Sequence, residues 1–398
     1  MKIDMNGVIY SLTYALDCIE AEVIGVSENH AKWVAYLSAL IGRTYGYSVH
    51  ELSDLAACAA LHDNALTQYL AEERTTEGFD VHGNHCLMGE KNVEHFPFHG
   101  DTTHFILYHH ENADGSGPFG KKSEEICVQS HIIHLADILD MACHFHEISE
   151  DNYERIQAFL EQQRDVMFTA DVIGHFYMAL SKEQYMALRG RNIDELLNEE
   201  LPHDTEEYPF EQVRAVMDVF GRIVDYKSPF TRSHSDHIAH RIQCMSDYYG
   251  YDRDIQERLY VAGALHDIGK MAIKNDILEK PGKLTNVEFV QMQNHAWYTY
   301  LILSKVNGFE DITEWAALHH EKLNGMGYPF GKKAEQLSRN DRLMACVDIY
   351  QALREDRPYK QGMPHEKCIE IMRKMVTDGF IDHQITEDIN TVFCEKEL

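Results

Sequence analysis

Ala264-Leu265-His266-Asp267-Ile268-Gly269-Lys270 has a partial copy 204 residues earlier in the same chain, Ala60-Leu61-His62-Asp63-Asn64. His234 has His30 at the same interval. Further along, His319-His320-Glu321 answers to His109-His110-Glu111 and His295 to His85, now at an interval of 210. Pro329-Phe330-Gly331-Lys332-Lys333 repeats Pro118-Phe119-Gly120-Lys121-Lys122 at 211, because Tyr328 is an extra residue in the later copy. Asp348 follows Asp137 at the same 211. An interval that drifts only from 204 to 211 along the whole match marks the duplication of one module.

The module reads as helical. Residues 52–61, 132–141, 211–224, 236–249 and 255–265 carry apolar side chains at three- and four-residue spacing, and strand-like alternation is scarce. Gly and Pro gather at 115–120, 281–282 and 325–331, which read as loops. The expected fold class is therefore all-α, with one module at 1–180 and the other at 211–398. The stretch 181–210 is helical in pattern but polar, and is expected to be a linker.

Composition narrows the function. The chain has 398 residues, enough for two domains with buried cores. Its 65 acidic residues against 36 basic ones give a net charge of -29. Such a surface repels nucleic-acid polymers and anionic membranes, while leaving room for a small anion held by local metal or Lys/Arg. No apolar run is long enough to span a membrane, and no signal-peptide pattern opens the sequence. The nine cysteines form no Cys-x-x-Cys pair, so reduced thiols and a cytoplasmic location are expected.

The 25 histidines are scattered, so a tag does not explain them. A lone helical His is usually a surface or hydrogen-bonded core residue. Seven ligand-type positions repeated in order are different. In the second copy they are His234, His266, Asp267, His295, His319, His320 and Asp348. Five imidazoles and two carboxylates suit two borderline divalent ions, with one carboxylate giving an oxygen to each. His237 and His240 lie one turn from His234, but the repeat does not support them as ligands.

The second copy, over residues 228–389, resembles the HD-GYP family of the HD phosphohydrolase superfamily. The resemblance rests on Thr231-Arg232-Ser233-His234-Ser235, His266-Asp267-Ile268-Gly269-Lys270, His319-His320-Glu321-Lys322-Leu323-Asn324-Gly325-Met326-Gly327-Tyr328-Pro329, Asp348-Ile349-Tyr350-Gln351-Ala352-Leu353 and Arg357-Pro358-Tyr359-Lys360. It implies tandem HD-type helical domains, a divergent one followed by an HD-GYP domain. It also implies two divalent ions per site, iron or manganese, and hydrolysis of a cyclic dinucleotide second messenger. Cyclic di-GMP is favoured, with 3′,3′-cyclic GMP-AMP the other candidate and the linear dinucleotide or mononucleotides as product.

By position, the resemblance assigns one metal to His234, His266, Asp267 and Asp348. Asp267 would bridge to a second ion completed by His295, His319 and His320. Some family members hold a third metal through a Glu four residues before the first His. Phe230 stands there in the second copy and Val26 in the first, so two ions are expected. Gln351 replaces a frequent Asp. Asp267 and Lys270 are the expected catalytic residues. Substrate contacts are expected from Lys270, Gly327, Tyr328, Pro329, Arg357 and Lys360. Arg342 is open between a substrate contact and a structural ion pair.

The first copy keeps a full ligand set, His30, His62, Asp63, His85, His109, His110 and Asp137, and is expected to bind metal. It lacks the substrate apparatus. Leu66 stands in the register of Lys270, Gly117 is followed directly by Pro118, and His146-Glu147-Ile148-Ser149 replaces the basic segment. A regulatory or structural role is favoured over separate catalysis. Two other functions compete for the whole chain, a non-catalytic sensor of nucleotide, metal or redox state and an HD-type nucleotidase.

Overall fold

The computed structural model describes residues 1–23, 25–26, 28–73, 81–201, 205–227, 234–356 and 361–394. Among them the only strands are Lys2–Ile3 and Glu206–Glu207; the ordered elements are otherwise helices, as expected. The chain forms two compact units, Asp4–Glu206 and Glu207–Leu398, and Met1–Ile3 groups with the latter.

Residues 181–210, expected as a linker, are instead mostly part of the first unit. Helices Lys182–Ala187 and Ile193–Glu200 bury Tyr185, Ile193, Leu196 and Leu197. The Tyr185 hydroxyl donates to Phe145 O at 3.0 Å, and the buried Lys32 ammonium reaches Asp194 at 2.5 Å. The polar residues that suggested a linker are the wet faces of two short amphipathic helices.

Each unit is built around one helix that begins with a histidine. In the first, His30–Thr44 packs against Val49–Ala60 and Val128–Cys143. Val34, Leu37 and Ile41 meet a core that includes Leu55, Cys58, Ile132, Leu135 and Leu139, all fully or almost fully buried. In the second, His234–Tyr248 packs against Arg253–Leu265 and Arg339–Arg354. Ile238, Ile242 and Met245 are buried there with Leu259, Val261, Leu343 and Val347. The three- and four-residue spacing of these positions is what makes each segment helical, because only a helix gathers them on one stripe. Helix starts are fixed locally by capping boxes, Ser48 with Glu51, Thr285 with Glu288 and Ser338 with Asp341.

One contact sets the spacing of the second unit's site. After helix Arg253–Leu265 the chain makes the 3-10 turn Ile268–Ala272, which lies directly on helix Asn286–Leu303. A Cβ on Gly269 would collide with the His295 carbonyl oxygen and stand 2.5 Å from Thr299 N. Thr299 fastens the approach, its hydroxyl accepting from Gly269 N at 3.1 Å and donating to His266 O at 2.9 Å. In the first unit Ala65 stands at the Gly269 register and the glycine lies across the contact, as Gly89 of helix Val81–Val93. There Asn64 Nδ2 bonds Leu61 O at 2.8 Å and Gly89 O at 3.1 Å.

Candidate metal centres

The duplicated histidines and aspartates converge in each unit, because nearly all of them stand at helix ends or on buried helix faces. In the second unit, His234 opens helix His234–Tyr248, and His266 and Asp267 follow the last turn of Arg253–Leu265. His295 lies within Asn286–Leu303, His319 and His320 follow Glu310–Ala317, and Asp348 faces inward from Arg339–Arg354. The seven form two adjoining groups. His234, His266 and Asp348 offer ligand atoms within 4.8 Å of one another, as do His295, His319 and His320.

Asp267 stands between the groups. Its Oδ2 lies 3.2 Å from His266 Nε2 and 3.7 Å from His234 Nε2, while Oδ1 lies 3.6 Å from His295 Nε2 and 3.8 Å from His319 Nε2. One carboxylate thus presents a separate oxygen to each half. Asp348 Oδ1 lies 3.6 Å from His234 Nε2, and its Oδ2 is 3.8 Å from His320 Nδ1.

The imidazoles are oriented by backbone. Nδ1 of His266, His295 and His319 lies 2.8, 2.6 and 2.6 Å from the carbonyls of Gly263, Met292 and Ala316. A carbonyl can only accept, so each Nδ1 carries the proton and each Nε2 turns a lone pair into the cluster. Burial and then the neighbouring imidazoles hold His319 well below its usual range, and burial and His295 push His320 down to about 3. Burial opposes charge on Asp348 and Asp267 as well, yet the surrounding histidines outweigh it and keep both carboxyls ionised. Neutral His319 and His320 beside ionised carboxylates match the protonation states that metal ligation requires, whereas at His234 burial is outweighed by the bonds to Asp348 and Glu355, which raise it to about 10.

The first unit repeats the arrangement. His30, His62 and Asp137 form one group and His62, Asp63 and His109 another. His30 Nε2 is 3.3 Å from Asp137 Oδ1, and His85 Nε2 is 3.0 Å from Asp63 Oδ1. His62 and His109 again turn Nδ1 to carbonyls, Ala59 O at 2.8 Å and Ile106 O at 2.6 Å. His110 groups with His85, His109 and Cys86, a thiol with no counterpart in the second unit, where Ala296 stands in its register.

Divalent cations fit both clusters. His62 Nε2, His109 Nε2 and His266 Nε2 are buried without a hydrogen-bond partner. An inward-facing lone pair left bare is costly in a dry interior, and a cation would satisfy it together with its acidic neighbours.

The expected substrate contacts fare unequally. The Lys270 ammonium pairs with Asp267 Oδ2 at the cluster edge and keeps 21% of its side-chain exposure. The Tyr328 ring lies 4.7 Å from the His320 ring, so the loop does bring an aromatic to the site. Gly327 has a different task from the expected approach to a ligand: a Cβ there would meet Glu321 Cα at 2.5 Å. The loop folds onto Glu321, whose carboxylate accepts from Phe330 N at 2.7 Å and Gly331 N at 2.9 Å. Pro329 follows a cis bond within that fold. Arg342 is corrected to the structural reading, because its guanidinium donates to Leu337 O, Ala334 O and Asp382. Arg357, Lys360 and Phe230 lie outside the described residues.

The sequence does not single out two carboxylates that stand beside the clusters. His234 Nδ1 is 3.0 Å from Glu355 Oε2, one helical turn beyond Gln351. In the first unit the same bond is made by Asp140, in the register of Gln351, at 2.8 Å from His30 Nδ1. Gln351 instead accepts from Arg241 Nε at 2.6 Å and reaches His237 Nδ1 at 3.3 Å. Glu355 therefore replaces the frequent Asp from the next turn. The second is Glu20, buried beside His30, whose Oε2 lies 3.9 Å from His30 Nε2.

The chain is similar to known proteins. The HD domain model matches residues 21–167 and 218–385, once over each unit. The 3′3′-cGAMP-specific phosphodiesterase 1 of Vibrio cholerae serotype O1 is 28% identical over 410 residues, spanning 98% of this chain and 91% of the relative. A probable cyclic di-GMP phosphodiesterase of the same organism is 34% identical over 211 residues, 46% of this chain and 47% of that one. The crystal structure of a cyclic GMP-AMP specific phosphodiesterase of V. cholerae superposes with a TM-score of 0.69 at 23% identity, covering 100% of this chain and 99% of the other.

Proposed function

This chain belongs to the HD domain family, and from that premise we propose that its second unit hydrolyses 3′,3′-cyclic GMP-AMP to the linear dinucleotide. The carrying observation is one of length. A relative that matches both units end to end is named for that substrate, whereas the one named for cyclic di-GMP matches under half of this chain. This supports the mixed dinucleotide over the cyclic di-GMP that the family resemblance favours.

His234, His266, Asp267 and Asp348 would hold one divalent ion, and Asp267, His295, His319 and His320 the other. Iron or manganese suits this imidazole and carboxylate set. Bound there, such ions supply a hydroxide near neutral pH and neutralise charge on the phosphoryl oxygens. The residues do the rest. Asp267 keeps the two halves in register by presenting one oxygen to each. Lys270 puts a positive charge at the cluster edge, where a phosphodiester oxygen arrives, and a charge-assisted bond there strengthens as negative charge builds during the reaction. Tyr328 sets an aromatic face beside His320 for a purine base. Glu355 fixes the His234 ring. Most of the ligand set is buried, with Asp267 and His295 almost inaccessible.

The first unit keeps an ion-binding cluster without this apparatus, since Leu66 is in the Lys270 register and buried. Among the described residues, no helix is long and apolar enough to cross a membrane.

The test is turnover by anaerobically purified protein loaded separately with iron and manganese and offered both dinucleotides. Asp267→Asn should abolish cleavage, Asp63→Asn should not, and the mixed dinucleotide should turn over faster. Protein carrying two ions in the second unit yet cleaving neither dinucleotide would refute the proposal.

A further inference from the structure

Helix Met5–Val23 contributes a carboxylate that the duplicated ligand set does not include. Glu20 is 1% exposed, and neither of its oxygens has a hydrogen-bond partner. Its Oε2 lies 3.9 Å from His30 Nε2, the nitrogen that faces Asp137 Oδ1 at 3.3 Å. A carboxylate stripped of water and left without donors is among the costliest groups to bury, and proteins bury one where a cation or a proton compensates it.

Nothing among the described residues of the second unit matches it. The first unit's Asp17 accepts from Ala31 N at 2.9 Å, and the second unit's Asp225 accepts from Ser235 N at 3.2 Å and the Ser235 hydroxyl at 2.9 Å. These two aspartates are structural equivalents, each receiving the second residue of the following helix. Three residues past Asp17 is Glu20; three past Asp225 is Ser228, which carries no charge.

We propose that Glu20 is a ligand of the divalent ion held by His30, His62 and Asp137, and that this extra carboxylate makes the first unit a cation-retaining site closed to phosphodiesters. The chemistry separates the two copies. The first offers three ligand carboxylates, Glu20, Asp63 and Asp137, with Leu66 in the lysine register. The second offers two, Asp267 and Asp348, with Lys270 beside one of them. Around a pair of divalent ions the first set leaves two fewer positive charges to attract a phosphate, and as a ligand Glu20 would take a coordination position on the ion. A borderline divalent cation with imidazole and carboxylate ligands is the class of ion expected. The inference rests on the reading of the first cluster as a metal site, and does not depend on which dinucleotide the second unit cleaves.

The experiment uses the full chain carrying Asp267→Ala and His319→Ala, so that bound metal reports the first unit. Cobalt(II) is added anaerobically, with affinity read by chelator competition and coordination by d–d absorption. Glu20→Gln should weaken binding at least tenfold and raise the molar absorption, as expected when a ligand is lost. Glu20→Asp should fall between the two, and Glu28→Gln, exposed on the following turn, should match the parent. Equal affinity and spectra for the parent, Glu20→Gln and Glu20→Asp would overturn the proposal, as would absence of cobalt from the first unit. In the otherwise unaltered chain, Glu20→Gln should leave dinucleotide turnover within twofold. Loss of turnover by that variant with second-unit metal intact would contradict the separation of roles. Turnover failing in the parent as well would count against the hydrolytic reading alone.

Discussion

Replacing Gly269 by alanine tests whether backbone spacing decides ion binding in the second unit. The added Cβ would stand 2.5 Å from Thr299 N and closer still to the His295 carbonyl. Both are backbone atoms of helix Asn286–Leu303, so no side chain can rotate away. Reaching ordinary contact with Thr299 N alone, which begins at 3.4 Å, moves the turn off the helix by at least about 0.9 Å, and the nearer carbonyl demands more. Asp267 rides on the turn and His295 on the helix, with Oδ1 and Nε2 now 3.6 Å apart. If that minimum shift is transmitted in full, the distance becomes at least about 4.5 Å, beyond the ~4.2 Å that one ion spans with two bonds of ~2.1 Å. Gly269→Ala should therefore lose an ion from the second unit and about a hundredfold in turnover. The fold should survive, at a cost of ~1–3 kcal/mol for overpacking. Metal analysis of anaerobically loaded protein, dinucleotide hydrolysis and thermal melts measure the three effects. Gly174→Ala, on helix Ala170–Ala179 with nothing within 4 Å of the new Cβ, serves as the neutral comparison. A Gly269→Ala protein with full metal content and parental turnover would refute the argument.

Four further outcomes are expected. Glu355→Gln removes the charged partner of His234 Nδ1 and should lower metal affinity or turnover by roughly 10–100-fold, measured by chelator competition and initial rates. Lys270→Met should keep both ions but lose roughly 10²–10³ in turnover, so metal analysis and kinetics together distinguish it from a ligand variant. Glu321→Ala frees the Phe330 and Gly331 amides and should cost about 3 kcal/mol while raising KM through the loosened Tyr328 loop. Glu111→Ala breaks the matching bonds to Phe119 and Lys121 and should cost similar stability with KM unchanged.

The repeat makes most of the two clusters legible in the sequence. Each ligand-type residue occurs twice in order, and helical periodicity places it on or beside a helix. What the sequence hides is what the repeat does not preserve. Glu20 is invisible there because the connection between the first two helices changes length. Asp17 and Ala31 are 14 residues apart, whereas Asp225 and Ser235, which make the same bond, are separated by 10. A fixed interval therefore aligns Glu20 with Val224 and conceals its place. Glu355 is hidden because its role moved one turn along helix Arg339–Arg354, leaving Gln351 as an apparent loss. Arg342 and Gly327 mislead for the opposite reason. A cation and a glycine near a functional loop look like ligand contacts, and only the folded chain shows that Ala334 O, Leu337 O and Glu321 Cα claim them. The apparent linker fails as a boundary because short amphipathic helices have polar averages even when Tyr185 and Leu197 are buried.

The carbonyl partners of the imidazoles have an evolutionary consequence. In the first unit His62 and His109, and in the second His266, His295 and His319, are each aligned by a main-chain oxygen three residues earlier. Every amino acid supplies that oxygen, so mutation at the supporting positions cannot erase it while the turn persists. A duplicated copy is then free to change its lysine and its loop, and its histidines still point inward. In this architecture the inward orientation of the ligand histidines is inherited with the backbone.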